Sequence, residues 1–162
     1  MSWWEQEQEQ YQDEGWVGER WGSAGSGLLF TTGSRVLLLL RSPYVADPGC
    51  WGVPGGAIPV SKGDGRRLDA FASAVKEAEE ELGVEPLPPY RVAGSVVYRD
   101  GGFVYTTFVL AVEDAVMDSM EPVLNWESDD WRWFTERELR SVRVHPGVEH
   151  VLREARRRVF RT

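Results

Sequence analysis

Three glutamates, Glu77, Glu80 and Glu81, are spaced so that one helix would gather their carboxylates on one face. With a rotation of about 100° per residue they fill an arc about 100° wide, here called the acidic arc, and Glu79 points away from it. Like charges at these spacings destabilise a helix by roughly 0.2–0.5 kcal/mol per pair. Mg²⁺ relieves such repulsion, since it prefers carboxylate oxygens and shares its remaining positions with water and substrate phosphates. The spacing therefore indicates either a Mg²⁺ site or the solvated face of an ordinary surface helix.

The segment around the acidic arc carries the start and stop signals of a helix. Asp69 is a suitable N-cap for a helix over Ala70–Leu82, and Gly83 is the residue type expected just past its end. An apolar stripe lies beside the arc and consists of Phe71, Ala74, Ala78 and Leu82. The three carboxylates are therefore expected at the rim of the buried face, not opposite it.

A glycine- and proline-rich segment precedes this helix. Residues 42–67 hold four of the nine prolines and six of the seventeen glycines, which predicts a long loop with short extended pieces. Loops of that length inside a compact domain are usually functional. We therefore expect this loop to face the acidic arc.

Two pairs of apolar segments predict β-hairpins, because each pair is joined by glycine-containing turn residues. Residues 27–32 and 35–42 flank Gly33-Ser34, and residues 91–99 and 103–113 flank Asp100-Gly101-Gly102. The leucine run in 35–42 predicts a strand that is buried on both faces.

The remainder of the chain predicts a short strand and a final helix. A polar stretch over 114–130 leads to a strand at 131–135 and then to one or two helical turns over 135–142. The last helix, 147–160, has apolar residues at core spacing, which are Val148, Val151, Leu152, Ala155 and Val159. Hairpin strands that alternate with two amphipathic helices predict an α/β fold.

Composition restricts the classes of partner. The 162 residues suit one domain, and a net charge of −8 argues against binding to duplex nucleic acid. The sequence has neither an apolar run near the roughly 18 residues of a membrane span nor the pattern of a secretory signal. We therefore expect a cytoplasmic protein without a membrane partner. The single cysteine, Cys50, excludes an internal disulfide and is expected to be a buried thiol.

Residues 1–22 differ in composition from the rest and are interpreted as an N-terminal extension ahead of a single domain over 23–162. The extension is acidic and glutamine-rich, and it carries Trp3, Trp4, Trp16 and Trp21. It is expected to be a tail with a few tryptophans docked on the domain. The alternatives are an added edge strand, an arm that joins two copies in a homodimer, or a unit that binds another protein.

Two motifs together resemble the Nudix hydrolase family. WGVPGG, residues 51–56, is similar to the family's W-x-x-P-G-G, and KEAEEELGV, residues 76–84, is similar to the second half of G-x5-E-x7-R-E-U-x-E-E-x-G-U, where U is aliphatic. The resemblance extends from about Gly27 to the last helix and implies a Nudix-like α/β/α sandwich with a mixed β-sheet. Residues 127–133, ESDDWRW, are also similar to the E-F-D-G-W-R-W segment of the branch that acts on RNA and dinucleoside polyphosphates.

The resemblance implies roles for the metal-binding and catalytic residues. Glu77 and Glu81 would be the main metal ligands, and Glu80 would be a further ligand or the catalytic base. The backbone carbonyl of Gly55 would complete the metal site. Glu127 matches a glutamate that reaches the metal cluster from a separate loop in the family.

Two further residues are implied in substrate binding. Gly56 lets the backbone approach the substrate phosphates closely. Arg41 stands where the family often has a basic residue that contacts a phosphate, although an ordinary arginine at a strand end explains it equally well.

The chain departs from the family signature at three points. Six extra residues separate Gly56 from the position of the first signature glutamate, Leu68 stands at that position, and Lys76 replaces the signature arginine. These changes affect the loop and leave all three glutamates of the arc in place. Lys76 is expected to reach a loop carboxylate such as Asp64, where it would brace less well than a guanidinium.

The function implied by the resemblance is a Mg²⁺-dependent pyrophosphohydrolase, with Mn²⁺ as a substitute cation. Its substrate would be a small nucleotide with a diphosphate linkage, such as an NTP or dNTP, a dinucleoside polyphosphate or a nucleotide sugar. The alternative is a Nudix-like nucleotide-binding or sensor domain that does not hydrolyse its ligand. Leu68 favours the alternative, whereas the three retained glutamates favour the enzyme.

Overall fold

A computed structural model of the chain describes residues 24–60 and 63–161. The predicted N-terminal extension, 1–22, lies outside the described residues, as do Ser61 and Lys62 in the inserted part of the loop. In the described part of the chain, seven strands form one mixed sheet: β1 (Ala24–Thr31), β2 (Arg35–Arg41), β3 (Trp51–Gly52), β4 (Gly55–Ala57), β5 (Arg91–Asp100), β6 (Phe103–Ala111) and β7 (Ser128–Thr135). Helices in the same part are α1 (Ala70–Leu82), α2 (Asp114–Ser119), α3 (Glu136–Leu139) and α4 (Pro146–Val159).

The sheet is built around β1 and β2. β1 runs parallel to β6 along its whole length, and β6 forms the predicted hairpin with β5. β1 and β2 pair next to their connecting turn, at Thr31 and Val36. Further along, β4 lies beside β1 while β3 lies beside β2, and β7 covers the other edge of β2. The glycine-rich loop is thereby held by the two strands at the middle of the sheet.

Two apolar cores lie on opposite faces of the sheet. Alternate residues of β2 point to opposite sides, so Leu37 and Leu39 join the core under α1, whereas Val36 and Leu38 join the core under α4. All four are buried, which confirms the strand predicted to be buried on both faces. With α1 and α4 on opposite faces, the predicted α/β/α sandwich with a mixed sheet is confirmed.

Helix α1 has the predicted boundaries. The Asp69 carboxylate accepts a hydrogen bond from the Ala72 N–H, and Gly83 has the left-handed backbone of a C-cap, donating its own N–H to the Glu79 carbonyl. The Ser26 hydroxyl of β1 donates to the Ala70 carbonyl at 2.7 Å, which anchors the first turn. Three residues of the predicted stripe have no exposed surface, namely Ala74, Ala78 and Leu82.

The structure differs from the sequence prediction in the polar stretch and at Lys76. The stretch contains helix α2, whose N-cap residue Glu113 makes no side-chain capping bond, so the usual start signal is missing from the sequence. The last strand begins at Ser128 rather than at residue 131. Lys76 lies 4.0 Å from Glu80, and its predicted contact with Asp64 is wrong because the i,i+4 carboxylate on the same helix is the nearer partner.

The described residues contain no helix with the length and apolar character needed to cross a membrane.

Replacing Gly83 by alanine is expected to destabilise the protein more than the same change at Gly101. Both glycines have left-handed backbone, with φ of 63° and 59°, so each alanine carries a backbone cost of about 1 kcal/mol. A Cβ on Gly83 would lie 2.7 Å from the Val123 carbonyl oxygen, whereas no atom of the described residues lies within 4 Å of a Cβ on Gly101. We expect the free energy of unfolding in urea to fall by about 1 kcal/mol for Gly101→Ala and by roughly 3 kcal/mol for Gly83→Ala. Equal losses would contradict the tight contact at the helix end.

Candidate functional site

A buried carboxylate joins helix α1 to the glycine-rich loop. Glu81 is only 7% exposed, and its Oε2 accepts a 2.7 Å hydrogen bond from the Gly55 N–H. An ionised carboxylate this deep is unfavourable unless donors or cations compensate its lost hydration, and the Gly55 amide is one such donor. The structure therefore brings the predicted loop and the acidic arc together at this contact.

Close approach of backbones explains why glycine stands at position 55. β4 pairs with β1 through Gly27 opposite Gly55 and Ser26 opposite Gly56. A Cβ at Gly55 would collide with the Tyr105 hydroxyl and the Ser26 carbonyl oxygen, so a side chain there would push the loop away from Glu81. Gly56 is buried in the same strand, and its role in substrate binding stays a prediction.

The two remaining glutamates of the arc are progressively more exposed. Glu77 is half-buried and Glu80 is exposed, with Lys76 4.0 Å away. No three His, Cys, Asp or Glu side chains within residues 24–60 and 63–161 converge as a metal site requires. The helix fixes which face carries the carboxylates, but their side-chain torsions set where the oxygens lie. The buried Glu81 carboxylate beside the Gly55 backbone, with two more carboxylates on the same face of α1, offers the oxygen donors that a hard divalent cation prefers.

Glu127 lies in the turn before β7, at the end of β2. Its backbone carbonyl accepts a 3.0 Å hydrogen bond from the Ser42 N–H, and its own N–H donates to the Asn125 side chain. The following residue, Ser128, pairs with Arg41 in the sheet. The structure thus brings Glu127 close to Arg41, and the catalytic role of Glu127 stays a prediction.

Arg41 is held at the end of β2 by the loop that follows it. Its Nε–H donates to the Ala46 carbonyl at 2.6 Å, and its backbone exchanges hydrogen bonds with Cys50 and Gly49 at 2.9 and 3.0 Å. The side chain lines a small pocket with Gly52, Val53, Tyr98, Tyr105, Thr107, His145, Gly147 and Val148. Arg41 thus lies at a strand end with its side chain held by the following loop, and its contact with a phosphate stays a prediction.

His145 is a site residue that the sequence analysis missed. It is the N-cap of α4, where Nδ1 accepts a hydrogen bond from the Gly147 N–H. Its Nε2 lies 3.4 Å from the Asp47 carboxylate, and the side chain is 4% exposed. Because Nδ1 accepts, we assign the proton of the neutral ring to Nε2, which faces the Asp47 carboxylate without the geometry of a regular hydrogen bond. Histidine is not among the preferred N-cap residues, so the His145-Pro146 pair is the main local signal for this helix start.

Burial controls the protonation of His145 and Cys50. Removal of the ring from water is the main cause that lowers the pKa of His145 from 6.5 to about 4, the positive charge of Arg41 adds to this, and Asp47 opposes it. The imidazole is therefore neutral at pH 7. Burial likewise raises the pKa of the Cys50 thiol, which keeps it protonated and agrees with the predicted buried cysteine.

Similarity to known proteins agrees with this arrangement of loop and helix. The sequence pattern of the NUDIX domain family matches residues 22–155. The chain belongs to this family. The resemblance found in WGVPGG and KEAEEELGV is thereby confirmed.

Curated relatives from Mycobacterium tuberculosis match part of their own length. A protein provisionally named 8-oxo-dGTP diphosphatase 3 is 30% identical over 136 residues, which cover 78% of this chain and 59% of that protein. The chain therefore spans less than two thirds of the relative that it matches.

Solved structures show the same fold. A Nudix hydrolase from M. smegmatis, RenU, superimposes with a TM-score of 0.59 at 23% identity, with 83% of each chain covered. The NUDIX domain of Shewanella oneidensis NrtR, complexed with ADP ribose, has a TM-score of 0.58 at 19% identity, with 84% of this chain and 87% of that chain covered. At these identities the likeness establishes the fold of the Nudix domain.

His145 is expected to make stability depend on pH between 6.5 and about 4. In the unfolded chain the ring takes up a proton as the pH falls below 6.5, whereas the folded ring resists protonation until about pH 4. The unfolded state then binds more protons, so the free energy of unfolding decreases as the pH falls, by about 3 kcal/mol across this window. In His145→Asn the amide oxygen replaces Nδ1 as the cap acceptor and the titrating ring is lost. Urea denaturation at pH 7 and pH 4.5 should then show a smaller decrease in the free energy of unfolding than in the parent. The same decrease in parent and variant would contradict the burial of a neutral imidazole.

Proposed function

We propose that the chain is a Mg²⁺-dependent Nudix pyrophosphohydrolase that cleaves the diphosphate linkage of a nucleoside diphosphate derivative. The observation that carries the proposal is the buried Glu81 carboxylate, held against the Gly55 N–H at the rim of the acidic arc. Membership of the NUDIX family supports hydrolysis of such linkages. One similar protein is named as an 8-oxo-dGTP diphosphatase, and another was solved in complex with ADP ribose. Both support a small nucleotide as the substrate.

The carboxylates of the arc would hold the cation, together with the Gly55 carbonyl. Glu77 and Glu81 are assigned as main ligands, and Mn²⁺ is expected to substitute for Mg²⁺ because it prefers the same oxygen donors. When bound, the cation lowers the pKa of a coordinated water and neutralises charge on the phosphate oxygens. The protein's own residues supply the remaining functions.

Proton transfer and phosphate binding fall to separate residues. Glu80 would accept a proton from the attacking water or serve as a further ligand, and its exposure on α1 supports this assignment. Arg41 would bind a substrate phosphate, while Gly56 lets the backbone approach it. Glu127, next to Arg41 in space, would supply a further carboxylate from the β7 side. Exclusion of duplex nucleic acid remains a prediction from the net charge of −8.

A nucleotide sensor without hydrolysis is the second candidate function. Two observations favour it: Leu68, at the position of the first signature glutamate, is 51% exposed and carries no charge, and the described carboxylates do not converge in threes. A sensor would bind a nucleotide without releasing phosphate or pyrophosphate. Calorimetric binding measured beside product release therefore separates the two candidates.

Glu81→Gln and Glu79→Gln are expected to differ sharply in turnover. Glutamine at position 81 keeps an oxygen that accepts from the Gly55 N–H but removes the charge that holds the cation. We expect turnover to fall by about 10²-fold, or roughly 3 kcal/mol of transition-state stabilisation. Glu79 lies outside the arc, so Glu79→Gln should retain nearly full activity.

The measurement is phosphate and pyrophosphate release with Mg²⁺, on the best substrate from a panel of nucleotides. Melting curves of both variants serve as the control, since a cap or packing defect would lower stability as well as activity. Equal activity of the two folded variants would mean that the acidic arc is a solvated face. Nucleotide binding by a parent protein that releases no product would support the sensor instead.

A further inference from the structure

The loop between β2 and β3 is closed at its base and folded over an aromatic cluster. Arg41 and Cys50 pair through a 2.9 Å backbone hydrogen bond, and the Gly49 N–H donates to the Arg41 carbonyl at 3.0 Å. Within the loop, Ala46 is buried against Phe103 and Tyr105. The position of the Ala46 carbonyl is therefore set by the conformation of the whole loop.

That carbonyl sets the direction of the Arg41 side chain. The Arg41 Nε–H donates to the Ala46 oxygen at 2.6 Å, a short bond with an ionised donor. Because a guanidinium is planar and rigid, fixing Nε also fixes the plane in which its two terminal NH₂ groups lie. A displacement of Ala46 would turn that plane away from its present position.

Asp47 follows Ala46 directly and is held by helix α4. Its φ of 51° is in the left-handed region, which is unfavourable for a non-glycine residue by roughly 1 kcal/mol. Its carboxylate lies 3.4 Å from His145 Nε2, close enough for the carboxylate charge to attract the polar N–H of the neutral ring. His145 is itself fixed twice, since Nδ1 accepts from the Gly147 N–H and its backbone N–H donates to the Trp51 carbonyl at 2.9 Å.

We propose that Asp47 and His145 are positioning residues that hold the Arg41 guanidinium in place for a substrate phosphate. The connection runs from the start of α4 through His145 to the Asp47 carboxylate, then to the neighbouring Ala46 carbonyl and the Arg41 Nε–H. The inference rests on the proposed function, in which Arg41 contacts a phosphate. It adds that this contact depends on a helix and a loop that are distant in sequence.

Four variants separate positioning from capping. Asp47→Ala removes the carboxylate that faces His145 Nε2, whereas Asp47→Asn keeps a polar oxygen at the same position. His145→Asn replaces the capping Nδ1 with an amide oxygen, and its side chain is too short to reach Asp47. His150→Asn is the matched control on the same helix, because His150 contacts the Val97 carbonyl instead.

The kinetic readout is the division of the effect between KM and kcat. We expect KM to rise about tenfold in Asp47→Ala and in His145→Asn with kcat nearly unchanged, because phosphate binding is lost equally in ground and transition states. Asp47→Asn and His150→Asn should stay within about threefold of the parent. In an Arg41→Ala background, Asp47→Ala should add almost nothing. Full additivity of the two changes would overturn the inference, as would a KM of Asp47→Ala equal to that of the parent.

A spectroscopic readout tests the inference even where no nucleotide is hydrolysed. In ¹H–¹⁵N spectra the Arg41 Nε–H signal should exchange slowly with water in the parent, Asp47→Asn and His150→Asn, and rapidly in Asp47→Ala and His145→Asn. An unchanged Arg41 signal in Asp47→Ala would refute positioning whatever the activity. If the parent shows no turnover but Asp47→Ala still speeds the exchange of the Arg41 Nε–H, the proposed hydrolysis is refuted and the positioning role stands.

Discussion

The hydrogen bond from the Gly55 N–H to the buried Glu81 carboxylate is the contact on which the site depends. It places a carboxyl group where water is largely excluded, so its charged form requires donors or a cation from the surroundings. The contact also requires β4 to approach β1 so closely that Gly27 and Gly55 face each other without side chains. The WGVPGG segment and helix α1 must therefore both be in place for this contact to form.

Each side of the site is supported by a different core. Helix α1 presents its glutamates from the rim of a stripe whose Ala74, Ala78 and Leu82 are fully buried, so the arc cannot rotate without exposing apolar surface. Arg41 is held by the loop that follows β2, through the Ala46 carbonyl. Asp47 of the same loop contacts His145 at the start of α4, on the opposite face of the sheet from α1. A substrate that spans the acidic arc and Arg41 would thus contact elements anchored in both layers of helices.

Features with local signals were predictable from the sequence, and features built from distant residues were not. The bounds of α1 follow from Asp69, a periodic stripe and Gly83, all within one short segment. Helix α2 was missed because it lacks a side-chain cap, and the Lys76–Asp64 contact was wrong because sequence does not specify pairing between exposed side chains. The contact of His145 with Asp47 joins a helix start to a remote loop, and no periodic pattern reports such a pairing.

Binding of the cation beside Gly55 is tested most directly by adding substoichiometric Mn²⁺ to ¹⁵N-labelled protein, since this paramagnetic ion takes the same oxygen ligands as Mg²⁺ and broadens nearby amide signals. The signals of Gly55, Gly56 and residues 77–82 should broaden first, and excess Mg²⁺ should restore them. Broadening confined to other acidic surface residues, such as Asp129 and Asp130, with a sharp Gly55 signal would contradict a metal site at the junction of loop and helix.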